Sequence, residues 1–203
     1  MTNNDSQNSN GSRAQSSHAR ASARGVVDVV DPETGDMDEI AEIEEGIYAD
    51  DGTTAFFYGT LMTPEVFFRV CYGRYSDDGP IPQPMIDNHG FKPAILHGYI
   101  RHKVRGADYP GIIPHAEKCV RGIFVTNLTE QNVRYLDLFE GSEYKRCRVM
   151  AKLLEKVGDD SGAGNVEGEG VPTISYVFKD PRGLEEAEWD FDHFKREKLW
   201  RWA

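Results

Sequence analysis

The stretch TAFFYGTL, residues 54–61, indicates the fold class of this chain. A short aromatic run that ends at a glycine predicts a buried β-strand followed by a sharp turn. The tripeptide TPE, residues 63–65, comes next and supplies a helix N-cap, a proline at the first helical position and an acid in the first turn. We therefore expect the folded region to begin near Thr54 with a strand, a turn and a helix.

Strand-like segments dominate the sequence that follows this unit. Apolar patterning and turn residues predict strands over residues 94–104, 120–126, 145–154 and 173–178, helices over 64–72, 130–138 and 184–200, and loops over 76–93 and 157–170. Trp189, Phe194 and Trp200 are expected to anchor the last helix. Because the strands outnumber the helices and mostly follow one another directly, the pattern favours an α+β fold. Its sheet would be curved and largely antiparallel, or closed into a small barrel, with helices at the rim.

Charge divides the chain into two parts. The 203 residues carry a formal net charge of −11. Residues 1–50 hold 11 acidic and 3 basic side chains, whereas residues 51–203 hold 23 and 20. Residues 1–25 are rich in Ser and Asn and almost lack large apolar groups, so burial cannot offset their ordering entropy. We expect a disordered, acidic extension over 1–50 and one domain over 51–203 that includes the C-terminal helix. A short docked helix is the alternative for residues 26–50.

The composition also argues against several kinds of partner. Lys and Arg side chains are not clustered, so neither nucleic acid nor an anionic membrane is an expected partner. No apolar run approaches the roughly 20 residues of a membrane-spanning helix, and the N-terminus lacks the apolar core of a secretory signal. Cys71, Cys119 and Cys147 form no CxxC pair. We expect free thiols in a reducing compartment, a cytoplasmic location and no zinc site.

The turn at residues 58–61 is the first candidate for ligand binding. A glycine that ends a buried strand lets the backbone turn sharply and lets a ligand approach closely. The backbone N–H groups that follow it, next to a helix N-terminus, can bind a carboxylate. The alternative is a strand-to-helix turn that binds nothing.

Residues 136–146, LDLFEGSEYKR, hold the candidate proton-transfer group. Glu140 lies between Phe139 and Gly141, just past the end of a predicted helix. An aromatic neighbour and the wall of a sheet would remove water from this carboxyl and raise its pKa, as a proton shuttle requires. The alternative is an ordinary solvated glutamate. Glu143 is expected to point to water.

Three segments in this order resemble the gamma-glutamylcyclotransferase superfamily, and most closely its avirulence-induced-gene-like branch. They are FYGTL at 57–61, AILHGYIRHKVRGADYPGIIP at 94–114 and LDLFEGSEYKR at 136–146. The resemblance implies a small mixed, mostly antiparallel β-barrel with flanking helices. It implies that Glu140 is the catalytic acid. It further implies that the gamma-glutamyl group is held by Tyr58, Gly59, Thr60 and Leu61, with Tyr109 and Tyr144 lining the pocket.

The resemblance also implies a reaction and a substrate class. A small gamma-glutamyl compound would be cyclised to 5-oxoproline with release of an amine, and Glu140 would act as general acid and base. No cofactor is required, and the sequence has no P-loop, dinucleotide fingerprint or HExxH pattern. One alternative is a related acyl transfer that frees a protected metabolite. Another is a non-catalytic regulatory or interaction protein that binds a small ligand on the same fold. A monomer and a homodimer are both compatible with the sequence.

Overall fold

The computed structural model describes residues 28–29, 53–73, 82–159 and 162–202. Its strands are β1 (Asp28–Val29), β2 (Thr53–Phe57), β3 (Phe91–Lys103), β4 (Pro110–Leu128), β5 (Tyr144–Lys156) and β6 (Val166–Phe178). Its α-helices are α1 (Pro64–Tyr72), α2 (Gln83–Asp87), α3 (Glu130–Glu140) and α4 (Phe191–Glu197). Short 3-10 helices lie at Thr60–Met62, Gly141–Glu143, Pro181–Gly183 and Leu199–Arg201.

Five of the strands form a closed cycle of pairings. They are neighbours in the order β5, β3, β4, β2 and β6, and β6 pairs again with β5. These pairings are antiparallel except for that of β2 with β6, where Ala55 and Ile174 are partners in parallel strands. The predicted fold class, α+β with a mostly antiparallel, closed sheet and flanking helices, is confirmed.

Strand β2 joins the two apolar clusters of the molecule, since successive strand residues point to opposite sides. Phe56, together with Tyr58 just after the strand, packs in a cluster otherwise formed by side chains of the other four strands of the cycle. Ala55 and Phe57 pack in a second cluster that includes α1 and α3. Phe67 of α1 is fully buried there. The strand that leads into the turn is therefore packed on both of its faces.

Several predicted boundaries differ from the structure. Strand β4 extends well before the predicted strand over 120–126, because it pairs with β3 along most of its length on both sides of a bulge. The predicted loop over 76–93 instead contains α2 and the start of β3, and residues 74–81 lie outside the described ranges. The predicted loop over 157–170 is shorter, since β6 begins at Val166.

The prediction of one helix over 184–200 is wrong for its first half. There the backbone pairs with the end of β3: Glu185 N–H donates to Lys103 O (2.8 Å), and Lys103 N–H donates to Ala187 O (3.1 Å). The α-helix is confined to Phe191–Glu197. Trp189 and Phe194 are buried anchors as predicted, but Trp200 is 72% exposed and does not pack in the core.

Strand β1 lies within the predicted extension. Asp28 and Val29 pair in parallel with Cys147 and Arg148 of β5, and the prediction of a disordered, acidic extension stays a prediction. The rest of residues 1–50, including the acidic stretch and its alternative helix, lies outside the described ranges, and the boundary near residue 50 stays a prediction. Among the described residues, no helix is both long and apolar enough to cross a membrane.

Candidate active site

A cavity of about 260 Å³ opens where β2, α3, β5 and the C-terminal segment meet. It is lined by every residue that the sequence analysis assigns to the site, namely Tyr58, Gly59, Thr60, Leu61, Tyr109, Glu140 and Tyr144. These residues lie up to 86 positions apart in the sequence. The pairing of β2, β4 and β5 with their neighbours in the closed sheet brings them together.

The turn after β2 is shaped by a close approach of Pro110. A Cβ atom placed on Gly59 would lie 2.8 Å from Pro110 Cγ, which is closer than two carbon atoms can approach. The 3-10 helix that follows uses the N–H groups of Met62 and Thr63, which donate to Gly59 O and Thr60 O. The first N–H groups of this helix, like those of any helix, have no hydrogen-bond partner within the helix. The turn therefore offers backbone donors at the cavity wall.

Glu140 is the last residue of α3. The helix ends there because Gly141 adopts φ +67°, and its N–H donates to Asp137 O. The Glu140 residue is half-buried. Burial of its carboxyl, together with the nearby negative charge of Asp137, raises the pKa to about 8. With this pKa the carboxyl can both accept and release a proton near neutral pH.

Three tyrosines of the wall have their hydroxyl groups fixed. Tyr58 Oη donates to Tyr176 O (2.6 Å), and Tyr144 Oη donates to Pro110 O (2.8 Å). Tyr109 Oη donates to Glu143 Oε2 (3.0 Å). Burial, and then the negative charge of Glu140, raise the pKa of both Tyr58 and Tyr144 above the ordinary tyrosine value. These hydroxyls therefore stay neutral, and a neutral hydroxyl oxygen can accept a hydrogen bond while it donates one. The Tyr58 hydroxyl also has a hydrogen bond with the backbone of Ile112, which acts to lower its pKa.

Glu143 also lines the cavity. Its residue is exposed, in keeping with the expectation that it points to water, but it also accepts the hydrogen bond from Tyr109. Two carboxyl groups therefore line the same space in different surroundings. Of the two, Glu140 is the one from which water is excluded.

Arg101 of β3 contacts the start of the turn. It was not predicted as a site residue. Its Nη1 donates to Tyr58 O (3.0 Å) and its Nη2 to Glu188 Oε1 (3.1 Å). The guanidinium carbon lies 5.6 Å from the centre of the Trp189 ring. These contacts fix the carbonyl at the start of the turn. An arginine on a half-buried strand carries no local signal of such a role.

The wall residues that were not predicted include Phe56, Pro110, Phe139, Tyr176 and Trp202. Phe139 could have been found, since it precedes Glu140 in the motif. Trp202 could not have been found, because the sequence Trp-Arg-Trp at residues 200–202 is typical of a helix that packs on its domain. Among the described residues, no group of three or more His, Cys, Asp or Glu side chains is placed to hold a metal ion.

Comparison with known proteins connects this site to a family. The family model described as "Gamma-glutamyl cyclotransferase, AIG2-like" matches residues 55–191. The chain belongs to this family. Protein AIG2 C of Arabidopsis thaliana is 30% identical over 141 residues, which cover 69% of this chain and 70% of the relative. Protein AIG2 A of the same plant is 35% identical over 103 residues, covering 51% of this chain and 55% of the relative.

The solved structures that are similar to the chain include the solution structure of an Arabidopsis thaliana protein, with 26% identity and a TM-score of 0.47. The match covers 73% of this chain and 76% of that one. The matched family range contains the turn, Tyr109, Glu140 and Tyr144 but ends before Trp202.

Proposed function

We propose that the protein cyclises gamma-glutamyl amides to 5-oxoproline and releases the amine, with Glu140 as the proton-transfer group. The observation that carries the proposal is that Glu140, whose pKa is raised to about 8, lines the same cavity as the 58–61 turn. A group that titrates near the pH of its surroundings can both accept and donate a proton. Membership of the gamma-glutamyl cyclotransferase family supports the same class of reaction.

The substrate would bind with its gamma-glutamyl end against the turn. The N–H groups of Gly59, Thr60 and Leu61 would donate to its α-carboxylate or to the oxygen of the carbonyl under attack. The neutral oxygens of Tyr58 and Tyr144 would accept from its α-nitrogen. A bent substrate held in this way has its nucleophile and its carbonyl carbon close together before the reaction begins.

The chemistry is an acyl transfer within one molecule. The Glu140 carboxylate takes a proton from the α-ammonium group, and the lone pair that this frees attacks the side-chain carbonyl carbon. A carbon–nitrogen bond forms in a five-membered lactam, and the bond from the same carbon to the leaving nitrogen breaks. The α-nitrogen gives up two protons in all, and the leaving nitrogen gains two and departs as an ammonium ion. Glu140 carries these protons, and no water is consumed.

Product analysis in heavy-oxygen water tests the proposal. The purified protein is incubated with gamma-glutamyl amines, gamma-glutamyl dipeptides and glutathione. We expect 5-oxoproline and free amine in equal amounts, with no solvent oxygen in the 5-oxoproline. Glutamate that carries solvent oxygen would show hydrolysis and contradict the proposal. Binding of these compounds without any product would favour the non-catalytic alternative.

A further inference from the structure

The C-terminal segment that contains Trp202 forms the outer wall of the cavity. Trp202 lines the cavity and lies beyond residue 191, where the family match ends. Its ring centre lies 6.0 Å from that of Tyr109, 6.1 Å from that of Phe139 and 6.0 Å from that of Phe194, all in edge-to-face geometry. Two of these partners, Tyr109 and Phe139, line the cavity as well. One side of the cavity is therefore an aromatic corner.

Hydrogen bonds and ion pairs fix this corner in place. Arg69 of α1 donates from Nη1 to Trp202 O (2.9 Å), and Trp202 N–H donates to Leu199 O (2.8 Å). Asp108 lies 3.4 Å from Lys198 Nζ and 3.5 Å from Arg201 Nη1. The C-terminal segment is thus tied to the loop that carries Tyr109. A ring held in this way is arranged before any ligand arrives.

The described lining of the cavity holds acidic side chains but no cation. It includes the carboxyl groups of Glu140 and Glu143 and no Lys, Arg or His side chain. A carboxylate on the leaving group would lose water there without a cationic partner, which is costly. Cations lie behind or beside this lining: Arg101 donates to Tyr58 O, and Arg69 and Arg201 line a neighbouring groove that shares Phe139 and Trp202 with the cavity.

We propose that Phe139 and Trp202 form the subsite for the leaving amine. This inference rests on the proposed function and names the substrate class within it. The two rings select gamma-glutamyl amides whose amine carries a flat apolar group, because aromatic faces and edges pack favourably. They disfavour amides whose amine carries a carboxylate, because the subsite holds no cation.

A matched pair of substrates tests the subsite. One amide joins the gamma-carboxyl group of glutamate to benzylamine, and the other joins it to the amino group of glycine. The readout is kcat/KM for 5-oxoproline release. We expect the native protein to prefer the benzylamide by about tenfold or more. Trp202→Ala should lose most of this preference through a higher KM for the benzylamide, whereas Trp202→Phe should keep it.

Trp200→Ala is the control, since Trp200 is two residues away, 72% exposed and absent from the cavity lining. It should retain the native preference. Thermal unfolding of each variant checks that the fold is kept. Equal use of both amides by the native protein, or an unchanged preference in folded Trp202→Ala, would overturn the subsite but leave the proposed function standing. Absence of 5-oxoproline from both amides would overturn both.

Discussion

Glu140 is held where its charged form is unfavourable. Burial, and to a smaller extent the charge of Asp137, raise its pKa to about 8. Its place at the end of α3 acts in the same direction, because the carbonyl groups at a helix C-terminus carry partial negative charge. Asp137 itself accepts hydrogen bonds from Arg146 (2.7 Å) and Tyr176 (2.8 Å). A carboxyl with a raised pKa lowers the stability of the folded state at the pH values where the group is ionised in the unfolded chain.

Glu140→Gln should stabilise the protein, and more at high pH than at low pH. The native carboxyl has a raised pKa, so the folded state binds its proton more tightly than the unfolded state does. Between the unfolded value near 4.5 and the folded value of about 8, stability falls as pH rises. We expect a gain of about 1–3 kcal/mol at pH 8, allowing for partial exposure, and a gain near zero at pH 4.

Urea unfolding of the native protein and of Glu140→Gln at both pH values measures this difference. Glu130→Gln changes the same residue type at the exposed start of the same helix. It removes an ion pair with Arg134 and an acid from the first helical turn, so it should slightly destabilise the protein at pH 8, which is the opposite sign. A pH-independent effect of Glu140→Gln would contradict the raised pKa.

At the residue scale, the sequence predicted a raised pKa for Glu140 but only some of the residues that surround it. The motif places Phe139 and Gly141 next to it, which was enough to expect loss of water and a helix end. It could not predict Pro110 against Gly59 or Trp202 over the cavity, because those contacts join residues 51 and more positions apart.

Helix α3 is the element that delivers Glu140 to the cavity. It begins with a reciprocal cap, in which Asn132 N–H donates to Thr129 Oγ1 (3.1 Å) and Thr129 N–H donates to Asn132 Oδ1 (3.0 Å). Leu136, on the same helix, is fully buried. The cap fixes where the helix begins, and the buried leucine fixes which face meets the sheet. Together they set the direction of Glu140.

Thr129→Ala should lower the free energy of unfolding by about 1 kcal/mol, because the N–H of Asn132 loses its acceptor. Thr129→Ser keeps the oxygen and should lose less. Urea unfolding of both variants measures the effect. Equal stability of Thr129→Ala and the native protein would show that the cap contributes nothing to α3.

Local signals predicted α3 well and α4 poorly for one physical reason. A cap, a run of helix-favouring residues and a C-terminal glycine all lie within α3 itself. The segment before α4 has helical spacing too, but residues 185–187 bond instead to Lys103 of β3. Hydrogen bonds to a strand some 80 residues away override local preference, and the sequence carries no mark of them.

At the scale of the molecule, the closed sheet is what makes a site from distant segments. Tyr58 and Glu140 are 82 positions apart, yet both line one cavity. The closing contacts include Ala55 with Ile174 and Ser175 Oγ donating to Phe56 O (3.0 Å). Alternating apolar residues predicted the strands, but not which of them closes the cycle.

Phe67→Ala should destabilise the whole molecule by about 3–5 kcal/mol, because Phe67 is fully buried and removal of its ring leaves a cavity. Its ring contacts those of Phe57 on β2 and Phe91 on β3, so it joins α1 to two strands. Leu138→Ala, at a residue that is 78% exposed, should change stability by less than about 0.5 kcal/mol. Chemical denaturation of both variants tests this, and similar losses in the two would contradict the assigned core.

The rate of 5-oxoproline release by Glu140→Gln, compared with the native protein on a gamma-glutamyl amide that the native protein turns over, tests the central claim most directly. Gln keeps the shape of the side chain and cannot carry the proton. We predict that kcat falls by roughly 10²–10⁴-fold with little change in KM, while Glu130→Gln keeps the native rate. Turnover by folded Glu140→Gln within a few-fold of the native rate would contradict the account.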